Sequence, residues 1–155
     1  MNIFNKIVNK SKSSNKKILL DHDYTYDDLH NLTKEYLIFF KNKLKTGEII
    51  CLILPYSIDF MAIVLSARIN GNVICLLNPN QTDFEKTNIL NQINYSMIMS
   101  EKNINKKNLK FKNFYFYKTK KKIKKKLNKN DAFIVYTSGT TTNPKGAILT
   151  DNSIK

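Results

Sequence analysis

Two short unbroken apolar runs, Ile49 to Leu54 and Val73 to Leu77, flank a helical pattern that carries Phe60 to Ile69. This arrangement restricts the chain to very few folds. Gly47 precedes the first run and Pro55 ends it; Gly71 precedes the second and Pro79 follows it. Continuous apolar residues, in place of alternating ones, mark strands buried on both faces, as in a parallel sheet. A strand, a helix and a second such strand make a β-α-β unit, with parallel strands joined by a right-handed crossover.

The alternation continues on either side. Leu29, Leu32, Tyr36, Leu37, Phe40 and Leu44 recur at helical spacing, which predicts an amphipathic helix from Tyr26 to about Leu44, closed by Gly47. Thr82 or Asp83 is suited to cap a helix reaching about Ile93, and Tyr95 to Met99 reads as a strand. The aromatic stretch Phe111 to Tyr117 reads as one further strand, and Ala132 to Tyr136 as another. About five strands result, which predicts an α/β fold with a mainly parallel sheet and flanking helices. Beyond them, Ala147 to Leu149 reads as a short strand and Thr150-Asp-Asn-Ser as a helix N-cap.

Chemistry is concentrated between those last two strands, where Tyr136 to Gly146 reads Tyr-Thr-Ser-Gly-Thr-Thr-Thr-Asn-Pro-Lys-Gly. A strand that enters such a loop presents backbone N–H groups, hydroxyls and one ammonium to a single anion, as a polyphosphate requires. The pattern is not a Walker A loop. Five residues separate Gly139 from Lys145, and Gly146 stands where that motif needs Ser or Thr for magnesium. The competing reading is a polar turn closed by Asn143-Pro144.

At these residues the chain resembles the adenylate-forming, AMP-binding superfamily, which includes acyl-CoA synthetases, luciferases and peptide-synthetase adenylation domains. The typical signature there is Tyr-Thr-Ser-Gly-Thr-Thr-Gly-x-Pro-Lys-Gly, and this sequence departs from it with Thr142 in place of Gly. Three weaker elements follow the same family order. Tyr24-Thr-Tyr-Asp-Asp-Leu29 is similar to a Thr-Tyr-x-Glu-Leu helix opening, Gly47-Glu48 to a Gly-Asp before a strand, and Gly71 to Pro79 to a Gly-Ala-Val-x-x-Pro-Leu-Asn-Pro strand exit.

The resemblance implies an incomplete N-terminal subdomain of an adenylate-forming enzyme over residues 19–155, behind a flexible basic tail over residues 1–18. It implies that a carboxylic acid is activated with ATP and Mg2+ to an acyl-adenylate, then passed to a thiol of CoA or phosphopantetheine. Thr137, Ser138, Gly139, Thr140, Thr141, Thr142, Lys145 and Gly146 would bind the nucleotide, with Lys145 also catalytic. The acyl pocket, the acidic magnesium ligand, the ribose-binding Asp and the C-terminal lysine of such enzymes would lie in a missing C-terminal part.

A formal net charge of +14 would ordinarily suggest nucleic acid or an anionic membrane surface. Almost every basic residue is Lys, however, Arg68 being the one Arg, and Asn and Ile are also abundant, as codons rich in A and T would produce. The lysine run Lys118 to Asn130, with Ile123 and Leu127 four apart, reads either as a solvated connection or as a grip for RNA or acidic lipid. The absence of aromatic residues within it argues against base stacking, so no specific nucleic-acid partner is expected. An inactive fragment or polyanion-binding protein is the reading from another class.

Cys51 and Cys75 each lie inside an apolar run and are expected as buried thiols. They form no zinc spacing, and His22 and His30 are expected at the surface or in loops, so no metal site is predicted from these groups. With 155 residues, 42% of them hydrophobic, the chain is long enough for an ordinary core. No run approaches a membrane span, and Met1 to Ser14 lacks the apolar core of a secretory signal, which leads to an expectation of a cytoplasmic protein.

Overall fold

The computed structural model describes residues 3–11, 15–17, 23–103, 109–119, 128, 130–136 and 144–154. In chain order the elements are α1 (Ile3–Ser11), α2 (Tyr26–Lys43), β1 (Ile49–Ile53), α3 (Ile58–Ile69), β2 (Val73–Leu76), α4 (Asp83–Gln92), β3 (Met97–Ser100), β4 (Leu109–Phe111), β5 (Phe114–Lys118), β6 (Asp131–Tyr136) and β7 (Gly146–Thr150). A short 3-10 turn, Asp151–Ile154, follows β7 in place of the expected helix start. Among the described residues no helix is long and apolar enough to cross a membrane.

The strands form one seven-stranded sheet in the order β4-β5-β3-β1-β2-β6-β7. Its centre, β3-β1-β2-β6, is parallel, and the β-α-β unit read from the sequence is β1-α3-β2, with Cys51 opposite Cys75. The flanking pairs β3-β5, β5-β4 and β6-β7 are antiparallel. Two strands exceed the expected five. One is β7, read in the sequence as the short strand Ala147 to Leu149 beyond those five; the other arises because Phe111 to Tyr117 is a hairpin and not one strand. Lys112 and Asn113 turn the chain between β4 and β5, with Lys112 at φ +53 and Phe111 opposite Phe114. The aromatic density on both arms concealed that turn. Lys112 Nζ, 2.5 Å from the Glu35 carboxylate, holds it against α2.

Strand alternation sends side chains into two cores. Ile50, Leu52, Ile74, Met97, Met99 and Phe116 face α1, α2 and α3, where they meet Phe4, Tyr36, Phe40, Ala62 and Ile63. Ile49, Cys51, Val73, Cys75, Ile98 and Ile134 face the other way, toward Ile89 of α4. Both β1 and β2 are therefore covered on both sides, which is why their sequences are apolar without alternation.

Helix boundaries follow local chemistry. Thr25 caps α2, accepting from Asp28 N at 3.2 Å while Asp28 accepts from Thr25 N at 2.7 Å. Thr82, and not Asp83, caps α4 through the same reciprocal pair with Glu85, at 3.2 and 2.8 Å. Each arrangement satisfies two backbone donors that the first helical turn would leave open. Gly47, expected to close α2, lies three residues past its cap Leu44, in the turn into β1. Gly71 has φ +80, and an added Cβ would sit 2.6 Å from Thr46 Cγ2, so the entry to β2 needs glycine for both conformation and space.

Within residues 1–18, for which a flexible tail was expected, Ile3–Ser11 forms α1 and buries Phe4 and Val8. The reason is the four-residue spacing of those two side chains, which places them on one helix face against the first core. That helix also overturns the surface expectation for His30. The imidazole is 6% exposed, its Nδ1 donates to the Val8 carbonyl at 3.0 Å, and its Nε2 has no hydrogen-bond partner among the described residues. His22 lies outside the described residues.

Candidate functional site

The parallel strands β1, β2, β3 and β6 all end on one edge of the sheet, at Ile53, Leu76, Ser100 and Tyr136. Open α/β sheets hold ligands outside the carboxyl ends of their strands. The hydroxyl-rich segment leaves β6 on that edge, directly after Tyr136, and the chain returns at Gly146 as the edge strand β7. Cross-strand pairing sets Tyr136 opposite Gly146, so the two ends of the segment are neighbours.

Of the residues singled out for nucleotide binding, Thr137, Ser138, Gly139, Thr140, Thr141 and Thr142 lie outside the described residues. Lys145 and Gly146 are described. Lys145 is exposed, and it immediately precedes the first residue of β7. Gly146 is opposed by an aromatic ring: a Cβ built there would lie 2.9 Å from Tyr136 Cζ and 3.1 Å from Cε1. The pair Tyr136–Gly146 thus closes the base of the loop with a ring laid over a residue that has no side chain.

Tyr136 itself belongs to the second core, beside Cys75 and Ile134. Burial, reinforced by the Cys75 and Cys51 thiols, pushes its phenol up to about 12. Burial likewise raises Cys51, which, like Cys75, is a free thiol with no exposure to solvent. Both cysteines are therefore buried as the sequence suggested. Among the described residues no three His, Cys, Asp or Glu side chains are grouped to hold a metal ion. The lysine run lies outside the described residues except at positions 118, 119, 128 and 130.

A cavity of about 560 Å3 opens elsewhere on the carboxyl edge, between α4 and the ends of β1 and β3, lined by Ile53, Lys86, Tyr95, Ser100 and Tyr117 among others. It lies where the strand order reverses, since β2 follows β1 on one side and β3 follows on the other. Of the described residues at the ends of the segment, none of Tyr136, Lys145 or Gly146 lines it.

Sequence reasoning missed Arg68 and its partners. The guanidinium is 2% exposed; Nη2 donates to Asp151 Oδ1 at 2.7 Å, and Nη1 to the carbonyls of Asp131, at 3.1 Å, and Asn72. The available signal was a lone arginine inside the apolar pattern of α3.

The sheet, wound in both directions from β1 and covered by helices on both faces, defines a doubly wound α/β domain by its class. The chain belongs to the AMP-binding enzyme family, whose model matches residues 8–154. Among solved structures, the chain is similar to the Klebsiella oxytoca NpsA N-terminal subdomain in complex with 3-hydroxyanthranilyl-AMSN, at 18% identity and a TM-score of 0.69, covering 96% of this chain and 39% of that one. It is also similar to the inhibitor-bound N-terminal domain of FACL13 from Mycobacterium tuberculosis, at 17% identity and a TM-score of 0.68, covering 99% and 46%. A third likeness is to VinN in complex with L-aspartate, at 16% identity and a TM-score of 0.69, covering 96% and 48%. At these identities the likeness speaks for the fold alone. The chain spans less than half the length of each of these structures. Comparison with curated protein sequences gives no match.

Proposed function

We propose that this chain supplies the ATP phosphate-binding loop of a ligase that activates a carboxylic acid as its acyl-adenylate and then forms a thioester with CoA or a phosphopantetheine thiol. The observation that carries this reading is the position of the signature residues, which begin at the carboxyl end of parallel strand β6 and end at the first residue of β7. Membership of the AMP-binding enzyme family supports acid activation in general.

In the first step a carboxylate oxygen bonds to the α-phosphorus of ATP, and the bond from that phosphorus to pyrophosphate breaks. Negative charge accumulates on the leaving pyrophosphate, and fixed donors aimed at it lower the barrier most. Thr137, Ser138, Thr140, Thr141 and Thr142 offer hydroxyls, Gly139 and Gly146 offer backbone amides of residues with no side chain of their own, and Lys145 offers a mobile positive charge. Mg2+ would accompany the phosphates, neutralising part of their charge. In the second step the acceptor sulfur replaces AMP at the acyl carbon. The acid and the acceptor are those implied by the family resemblance of the sequence.

Lys145→Ala tests the assignment. With the chain joined to the remaining parts of an adenylate-forming enzyme, ATP–pyrophosphate exchange should lose about 2–4 kcal/mol of transition-state stabilisation. Unchanged adenylation kinetics would sink the role given to Lys145. Salt-dependent RNA binding by the chain, with no response to ATP, would support polyanion binding in its place.

A further inference from the structure

Arg68 joins the two feet of the loop-bearing hairpin to the helix layer. Asp131 is the first residue of β6 and Asp151 directly follows β7. One guanidinium takes both, through the Asp131 carbonyl at 3.1 Å and the Asp151 carboxylate at 2.7 Å, while Asp151 N donates to Asn130 O at 2.8 Å. The Phe4 ring of α1 lies 5.6 Å from Arg68 Cζ and helps to close the site from water. A charge removed from water in this way is tolerated only because it is paired and hydrogen-bonded.

The β6-β7 ladder is irregular at this end. Asp131 pairs with Thr150 but Phe133 pairs with Leu149, so the register shifts across Ala132. An irregularity of this kind interrupts the ladder, and a one-residue slip would turn every side chain of β7 to the opposite face. β7 is an edge strand with β6 as its one strand neighbour, and Ala147, Ile148 and Leu149 are exposed. Among the described residues, Arg68–Asp151 is the ion pair that ties this hairpin to the helices.

We propose that Arg68 is a positioning residue for the loop: gripping Asp131 and Asp151 together, it sets the register that brings Tyr136, which enters the signature segment, opposite Gly146, which leaves it. The inference rests on the phosphate-loop reading of that segment. Arg68 contacts Asp131 and Asp151, at the end of the hairpin away from Tyr136 and Gly146. It acts through the strands, from the far end of the hairpin.

Asp151→Asn keeps the shape of the partner and removes its charge, so it spares the fold a large change in the core. In the full chain, hydrogen exchange of β7 amides should accelerate at least tenfold, with β1 and β2 amides unchanged within twofold; with the chain joined to the remaining parts of an adenylate-forming enzyme, MgATP affinity should fall three- to tenfold. Asp151→Glu should recover most of both effects. Unchanged β7 protection overturns the proposal, as does acceleration of β1, β2 and β7 together, which would mark a general stabilising role. Freed β7 amides with unaltered MgATP affinity overturn it as well. If the unaltered chain, joined to the remaining parts of an adenylate-forming enzyme, takes up no MgATP, the phosphate-loop reading is overturned instead, and the exchange pattern still decides whether Arg68 holds the hairpin.

Discussion

The ring of Tyr136 occupies the space that a side chain on Gly146 would need, with 2.9 Å between Tyr136 Cζ and a Cβ at position 146. This contact joins the residue that enters the loop to the residue that leaves it, and it binds both to the core containing Cys75 and Ile134. The demand at Gly146 is for space and not for an unusual backbone angle, because its φ lies outside the left-handed region.

Gly146→Ala should therefore destabilise the chain by about 1–2 kcal/mol, the lower part of the usual range for overpacking, because the half-buried ring has room to swing aside. The double variant Tyr136→Ala/Gly146→Ala should be no less stable than Tyr136→Ala alone. Urea midpoints of the four chains form the cycle. Additive losses would show that the ring is not what position 146 meets.

Stability should decline in alkali. In the folded chain the Tyr136 phenol is pushed up to about 12, chiefly by burial, whereas tyrosines of an unfolded chain titrate near about 10. The folded state therefore holds its proton more tightly. This contribution is fully present below the unfolded value and is lost as pH rises through the interval to the folded one. Tyr36, raised by burial and by its bond to Asp59, acts with the same sign. Urea midpoints from pH 9 to 12, in the parent and in Tyr136→Phe, separate the phenol from the lysines titrating nearby. Identical pH profiles for the two chains would refute this.

The cap of α4 offers a test of local design. Thr82→Ala removes the acceptor for Glu85 N and should cost about 1 kcal/mol, measured by thermal or urea unfolding. Bonds from the Thr82 backbone and hydroxyl hold the Glu85 carboxyl below its ordinary range. Its contribution is present above the unfolded value and disappears as pH falls through the folded one, so the gap between parent and variant should narrow in acid. A gap that widens in acid would contradict the reciprocal pairing.

Cys51 and Cys75 face each other across β1 and β2 without solvent exposure. A thiol reagent such as Ellman's should find neither in the native chain and both in denaturant, because reaction requires thiolate and access together. Reaction should follow opening of the central sheet, the most protected part of such a fold. Rapid labelling of either cysteine under native conditions would mean that the centre of the sheet opens far more easily than its burial implies.

The central alternation was legible because each of its parts is encoded locally. β1 and β2 appear as apolar runs between Gly and Pro, α2 and α4 begin at threonines three residues before an acidic side chain, and β6 leads into the signature loop. Where composition hides geometry, reading was less complete. Lysines around Phe4 and Val8 obscured the apolar face of α1, and the His30 environment depends on that helix. Aromatic residues on both sides of Lys112 and Asn113 masked the hairpin.

What the residues by themselves determined is the order of the central strands and helices, the buried thiols, and the place of the hydroxyl-rich segment between β6 and β7, since each rests on a few neighbouring side chains. Tertiary structure alone decided that β2 and β3 lie on opposite sides of β1, that Tyr136 covers Gly146, and that Arg68 reaches Asp151 across 83 positions of sequence. Those relationships depend on which faces pack and in what register. A burial pattern states that a side chain must find a partner, but the partner is selected only when the whole sheet and its helices close together.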